Sequence, residues 1–259
     1  IGVRLVGSEM CIRDRLCITT MDNGIKTTHL SLFKNQIHGV PQGSILGPLL
    51  FIIFINDLPL FTKHKTVIYA DDTNICISSE TLGDAVDATN SCLNLVKNWF
   101  NCNKLIMNSD KTNIMVFPVH IADDVFFTSD SLQIKNTKIS KLLGLTIDNS
   151  LKWYDHVEGL EQKLVKSIYA IKRVKNIISK DKLMMVYFGC FESHLRYGVL
   201  FWSSNINLNR VLLLQKRAIR SIVGIGQRES CRSHFLTLKI MAVVNLIICL
   251  LYTSDAADD

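Results

Sequence analysis

The period of the apolar positions changes several times along the chain, and each change predicts a different element. Leu49-Leu50-Phe51-Ile52-Ile53-Phe54-Ile55-Asn56-Asp57-Leu58 is apolar almost all round a helical projection, which predicts a buried helix. The turn cluster Gly39-Val40-Pro41-Gln42-Gly43-Ser44 precedes it. Before that, Gly24 to Gln36 mixes Thr, Phe and Ile in the manner of a strand or hairpin. Thr66-Val67-Ile68-Tyr69-Ala70 and Thr73-Asn74-Ile75-Cys76-Ile77 are short β-prone runs around Asp71-Asp72, the pattern of a two-residue hairpin. Leu82, Val86, Leu93, Val96 and Phe100 recur at helical spacing between Thr81 and Asn101. Asp84 and Asp87 stand near the start of that helix, where its dipole favours acid. Lys104 to Phe117 turns through Asn108-Ser109-Asp110-Lys111-Thr112 into a strand from Asn113 to Phe117. A further β-prone run surrounds Gly144 between Ile139 and Ile147.

After Lys152 the character becomes helical. Val157 to Ile178 carries Leu160, Leu164, Ile168, Ile171 and Val174 on one stripe, and further helices are expected over Lys182 to Tyr197 and Leu208 to Val223. The expected boundary is near Asn149, where mixed α/β gives way to all-α. The fold class is therefore α+β, with no tandem repeat, low-complexity tract or linker. Two apolar runs invite comparison with membrane spans. Ile45 to Ile55 is too short and contains Gly47 and Pro48; Phe235 to Tyr252 carries Lys239 and Asn245. Both read as buried core elements, so no membrane partner is expected.

Composition narrows the class. Of 259 residues, 48% are hydrophobic, which excludes wholesale disorder because that much apolar surface needs a core. The formal charge of +6 favours an acidic partner, nucleic acid or a membrane surface, over a neutral one. Eight cysteines are scattered with no C-x₂-C pair, which gives a zinc site no spacing and suits a reducing compartment. The histidines are dispersed, and no nucleophile arrangement or Walker-type loop is present. The ends have a different texture. Gly7 to Arg15 and Cys249 to Asp259 resemble translated sequencing-library adapters, so residues 1–15 and 249–259 are expected to be non-native.

The candidate chemistry lies at Asp71 and Asp72. Two neighbouring carboxylates at a hairpin tip repel one another unless a cation sits beside them. Hard cations such as Mg²⁺ take one or two carboxylates together with phosphates and water. The dipeptide alone reads more readily as a solvated turn. Its context is a glycine-containing turn whose Gly43 lies 28 positions upstream, followed by an apolar helix. Such a turn lets backbone approach a ligand, which the Gln42 amide can also reach.

Taken together these segments resemble reverse transcriptases. Gly39 to Phe51 with Ile55-Asn56-Asp57-Leu58-Pro59 resembles the B block, and Tyr69-Ala70-Asp71-Asp72-Thr73 the C block. Leu105 to Thr112 resembles the D block, and Lys141-Leu142-Leu143-Gly144-Leu145-Thr146-Ile147-Asp148 the E block, or primer grip. The wording is most similar to polymerases of non-LTR, LINE-like, jockey-type retrotransposons. Phe188 to Trp202 and Leu213 to Arg220 resemble their downstream helices, so the resemblance runs from about residue 24 to about residue 240.

The resemblance implies an incomplete polymerase palm at 16–148, a small antiparallel sheet with helices, followed by a helical thumb or connection region at 149–248. It implies an RNA-directed DNA polymerase that extends a DNA primer on an RNA template with dNTPs, using two Mg²⁺ ions. Asp71 and Asp72 would bind the metal. Tyr69 would line the minor groove of the primer–template end, and Gln42 and Gly43 would contact the template base and incoming nucleotide. Lys111 would sit near the triphosphate as a proton donor, although it reads equally as a solvated lysine. Leu143 and Gly144 would shape the primer grip, with Leu142 where an aromatic is usual. The parent element would need access to chromosomal DNA.

One block is absent from the pattern. The family's A block supplies another metal-binding aspartate upstream of B; Asp14 lies in the adapter-like segment and Asp22 has no apolar strand context, so neither is expected to replace it. The polypeptide as written is therefore expected not to polymerise; the alternative is a catalytically dead remnant that at most binds nucleic acid. Lys163, Lys166, Lys172, Arg173, Lys175, Lys216, Arg217 and Arg220 suit a thumb face that meets phosphates, and equally an ordinary solvated face.

Overall fold

A computed structural model describes residues 17–22, 25–30, 43–117, 126–129, 132–203 and 205–255. The chain divides into two compact units, Ile1–Asn108 with Thr128–Leu132, and Ser109–Phe127 with Gln133–Asp259. Its described strands pair only as two-stranded antiparallel ladders, and helices supply the rest of the framework. The class is the mixed helical and antiparallel one expected, but no larger sheet joins the ladders among the described residues.

In the first unit β1 (Cys17–Asp22) pairs with β2 (Ile25–Leu30), so Asp22, expected to lack a strand context, in fact ends a strand opposite Ile25. Then come α1 (Gly47–Ile55), α2 (Leu58–Thr62), the hairpin β3 (Lys65–Tyr69) and β4 (Asp72–Cys76), and α3 (Leu82–Cys102). The α3 N-terminus is capped: the Thr81 hydroxyl oxygen accepts the Asp84 N–H at 3.2 Å, satisfying an amide that has no partner within the helix. The core here is small. Ile55, Leu58, Cys92, Val96 and Trp99 are buried, with Phe51, Ile68, Ile75 and Phe100 packed against them.

The expectation that the apolar helix is buried needs correcting. Leu49, Leu50, Ile52, Ile53 and Phe54 of α1 are 43 to 64% exposed, and only Gly47 and Ile55 are buried. A helix apolar all round can turn only one stripe toward a single neighbour, and the described residues of this unit provide no second layer. The α3 stripe also shifts slightly: Cys92, Val96 and Trp99 are the buried positions, while Leu82 is exposed.

In the second unit a 3₁₀ turn at Ser109–Lys111 leads to Ile114. The strand expected over Asn113 to Phe117 is reduced to one parallel bridge, Ile114 with Asn136. The Asn136 side-chain oxygen accepts the Val116 N–H at 3.3 Å, so a side chain replaces the continuation of a ladder. Strands β5 (Phe126–Ser129) and β6 (Leu132–Lys135), through which the division into units passes, pair with each other; β7 (Ile139–Leu142) and β8 (Leu145–Asp148), wholly in the second unit, form a tight hairpin.

Helices follow: α4 (Tyr154–Val174), α5 (Lys180–Val186), a π-helical stretch (Tyr187–Glu192), α6 (Ser193–Arg196), α7 (Val199–Trp202), α8 (Asn205–Val223), α9 (Arg232–Thr237) and α10 (Val243–Asp255). Their core is the larger one. Val157, Leu160, Leu164, Ile168 and Ile171 form the buried stripe of α4, as the spacing predicts, and meet Val211, Ala218 and Ile219 of α8. Leu145 and Ile147 of β8 pack against the same cluster. That packing explains why the compact division falls at Asn108, ahead of the change of character at Asn149. The Phe235 to Tyr252 run is two helices broken at Leu238–Ala242, and α10 continues past Cys249 with Leu250 against the core. No described helix is long and apolar enough to cross a membrane.

Candidate active site

The site begins with the register of the β3–β4 hairpin. Tyr69 pairs with Asp72, Ile68 with Thr73, Val67 with Asn74 and Thr66 with Ile75. Ala70 and Asp71 are therefore the turn, and Asp72 opens β4, one position from the expected Asp71-Asp72 loop. Ala70 adopts φ +52, a left-handed conformation that costs a non-glycine residue about 1–2 kcal/mol. The inward face repays it. Because side chains alternate, this register turns Ile68 and Ile75 together toward Val96 and Trp99 of the core.

The same alternation puts Tyr69 and Asp72 side by side on the open face. Tyr69 is 64% exposed, and Asp71 and Asp72 are both exposed. Two successive carboxylates at the end of a ladder are hard oxygen donors, and their accessibility suits a divalent cation shared with phosphate oxygens and water. Among the described residues no group of three or more His, Cys, Asp or Glu converges into a complete ligand set. The hairpin thus fits part of a Mg²⁺ site, the part that two carboxylates supply.

The chain leading to α1 is organised by two features. Gly43 has φ +85 and is exposed, with nothing within 4 Å of where a Cβ would stand, so its backbone is open to approach. The Ser44 hydroxyl accepts the Gly47 N–H at 3.1 Å, and Pro48 occupies the first turn, where its missing N–H costs nothing. At the far end of α1, Asp57 accepts the Trp99 indole N–H at 3.4 Å, and Phe54 meets the Trp99 ring edge-on at 6.2 Å. Gln42 lies outside the described residues.

The remaining candidates belong to the second unit. Lys111 ends the 3₁₀ turn and is exposed. Leu143 and Gly144 are the two turn residues between β7 and β8, at φ +47 and +85, the sign pattern of a type I′ turn. The Tyr197 hydroxyl donates to the Leu143 carbonyl. A cavity of ≈ 230 Å³ beneath this turn is lined by Lys141, Thr146, His156, Lys163, His194 and Tyr197. Within it the Thr146 N–H donates to His156 Nδ1 at 3.3 Å. Burial, and then the Lys163 ammonium, hold His156 below its ordinary range.

Asp148 closes the hairpin. Its carboxylate accepts the N–H groups of Ser150 at 3.0 Å, Lys152 at 3.1 Å and Trp153 at 2.7 Å, and the Ser150 hydroxyl as well. Burial opposes its charge, but these hydrogen bonds prevail and keep the carboxyl below the usual carboxylate range. The roles of Tyr197, His156 and Asp148 escaped sequence reasoning, since each depends on where the chain returns. The nearest sequence signal was the Tyr197-Gly198 helix break, where Gly198 sits at φ +60.

Residues 9–152 match the reverse transcriptase (RNA-dependent DNA polymerase) family, a match that begins within the 1–15 segment. The chain is similar to the "RNA-directed DNA polymerase from mobile element jockey" of Drosophila melanogaster, 26% identical over 77% of this chain and 24% of that protein. It is similar to the "Probable RNA-directed DNA polymerase from transposon X-element" of the same species, 24% identical over 75% of this chain and 23% of that protein. It is 28% identical to the "Probable RNA-directed DNA polymerase from transposon BS" over 71% of this chain and 22% of that protein. The chain thus spans under a quarter of the length of these relatives. No solved structure matches it at a significant level. With more than half of its residues inside the family match, this chain belongs to the reverse transcriptase (RNA-dependent DNA polymerase) family.

Proposed function

We propose that the chain is part of a polymerase that extends a DNA primer along an RNA template with dNTPs. Asp71 and then Asp72 are its metal ligands, and residues 16–148 and 149–248 are its palm and thumb portions. The observation that carries this reading is the Tyr69–Asp72 cross-strand pair, which leaves the aspartates at the open end of a hairpin anchored on its other face. Two Mg²⁺ ions held there would activate the attacking oxygen and stabilise the leaving one in an in-line displacement. Asp71 and Asp72 bring the negative charge that holds them. Tyr69 presents its ring beside Asp72 to the minor-groove edge of the primer end. Gly43 offers open backbone to the nucleotide, and Gln42 an amide to the template base. Lys111 supplies a proton to departing pyrophosphate. Leu143 and Gly144 shape the turn that grips the primer.

The 259-residue polypeptide alone does not polymerise in this reading, because two carboxylates hold part of a two-metal site and among the described residues no third His, Cys, Asp or Glu joins them. Primer extension with labelled dNTP on an RNA template tests this, and the expected result is no product. Product that Asp71→Asn abolishes would overturn the inactivity. Weak Mn²⁺ binding, followed by electron paramagnetic resonance, is expected to vanish in the Asp71→Asn, Asp72→Asn double variant. Unchanged binding there would sink the metal assignment.

A further inference from the structure

The basic face expected along the helices is not uniform in three dimensions. Toward the C-terminal ends of α4 and α8 lies a cavity of ≈ 650 Å³ whose lining includes Lys172, Lys175, Arg217 and Arg220, with no carboxylate among the lining residues. Lys163 opens instead into the smaller cavity beneath the β7–β8 turn, while Lys166, Arg173 and Lys216 line neither. Packing has selected four of eight sequence candidates and turned them toward one hollow.

Helix ends alone do not account for this charge. Each C-terminus carries the equivalent of roughly half a negative charge, so α4 and α8 together offset about one of the four cations. Glu229, in the loop after α8, is committed elsewhere: its carboxylate accepts the Gly226 N–H at 2.7 Å and its carbonyl accepts Arg220 Nε at 2.9 Å. Arg220 is thereby held in place, and Lys175 Nζ lies 3.9 Å from the Cβ position of Gly224. Leu213 and Ile225 add apolar surface beside the cations. A volume of this order, within the roughly 300–1,000 Å³ of small-ligand pockets, admits one or two nucleotide units but not a rigid duplex.

We propose that this cavity seats backbone phosphates of a single nucleic-acid strand, with Lys172, Lys175, Arg217 and Arg220 on the phosphates and Leu213 and Ile225 against sugar or base. The inference rests on the nucleic-acid reading of the chain and adds a strand site within the helical unit, apart from the hairpin's metal chemistry.

Anisotropy of a fluorescent oligo(dT) strand titrated with the full chain tests it, with EDTA present so that metal at the hairpin plays no part. Failure of the polymerase reading and failure of this one are then separate results. Lys175→Ala with Arg217→Ala is expected to weaken binding about tenfold or more at low salt and to reduce the salt slope by about 1.4, two contacts at about 0.7 each. Lys180→Ala with Lys182→Ala, which removes the same charge outside the cavity, is expected to stay within about twofold. The pair Lys175→Gln with Arg217→Gln keeps polar stems, and should bind as weakly as the alanine pair while melting as the parent does. Equal loss in both alanine pairs would mean a diffuse charge effect and overturn the proposal. So would unchanged binding in the cavity variants, or no strand binding by the parent chain.

Discussion

The hydroxyl of Tyr197 donates to the carbonyl of Leu143, and the Tyr197 ring lies 3.5 Å from where a Cβ on Gly144 would stand. A side chain just after α6 thus braces both residues of the tight turn between β7 and β8. The turn needs bracing, because Leu143 holds φ +47 without a glycine's freedom. The β7–β8 turn is therefore a joint product of its own glycine and a tyrosine some fifty residues downstream.

Gly144→Ala is expected to destabilise the helical unit by about 1–2 kcal/mol through left-handed strain and crowding of the Tyr197 ring. Tyr197→Phe should cost about 1 kcal/mol for the lost hydrogen bond. Denaturant unfolding followed by circular dichroism reads both; parent-like midpoints would show that the brace carries no energy.

Acid should weaken the same unit in two windows. His156 is held below its ordinary 6.5, so between that value and its folded value the unfolded chain binds the extra proton. Stability therefore falls as pH drops through about 6.5, and His156→Gln should flatten that limb. Asp148 is also depressed, so its contribution is present above about pH 4 and is lost as pH falls through the lower folded value. Asp148→Asn should remove this second fall and cost about 2 kcal/mol at neutral pH. Unfolding free energies measured from pH 8 to 3 that show neither slope would refute the assignment.

Gln215 is fully buried yet polar, and it is satisfied on both ends. Its amide donates to the Met241 carbonyl at 2.9 Å and to the Tyr187 hydroxyl at 3.2 Å, while its oxygen accepts the Val243 N–H at 2.9 Å. That last bond caps the start of α10. Gln215→Leu should cost about 3 kcal/mol by stranding these groups, and hydrogen exchange at Val243 should accelerate. A variant as stable as the parent, with Val243 still protected, would show that water replaces the glutamine.

Leu49 and Ile53 stand one helical turn apart on α1, 53% and 64% exposed. Replacing both by lysine should change stability by less than about 0.5 kcal/mol while lowering dye binding and self-association, since exposed apolar patches drive both. A large loss of stability instead would mean that these side chains are packed.

Several features were legible along the chain because they are local. The β-prone runs Thr66 to Ala70 and Thr73 to Ile77 around two turn-forming residues announced a hairpin, and the stripe from Leu160 to Ile171 announced a long helix with one buried face. Each was found, since periods of two and 3.6 follow from backbone geometry alone. The motif residues were readable too, because glycine, proline and paired aspartates mark turns in any context.

What required tertiary structure was convergence and cover. The hairpin turn moved one position, to Ala70-Asp71, which kept Ile68 and Ile75 on the core face and placed Asp72 in a strand beside Tyr69. The exposure of α1 depended on how many layers surround it, which no projection of its own residues contains. Tyr197 under Gly144, Gln215 under α10, and four cations around one cavity join positions far apart in sequence. Sequence by itself determined most of the elements and the family, because both are written in local pattern and word order. Tertiary packing alone decided which side chains meet, because burial and long-range hydrogen bonding act between segments whose order along the chain does not predict their neighbours.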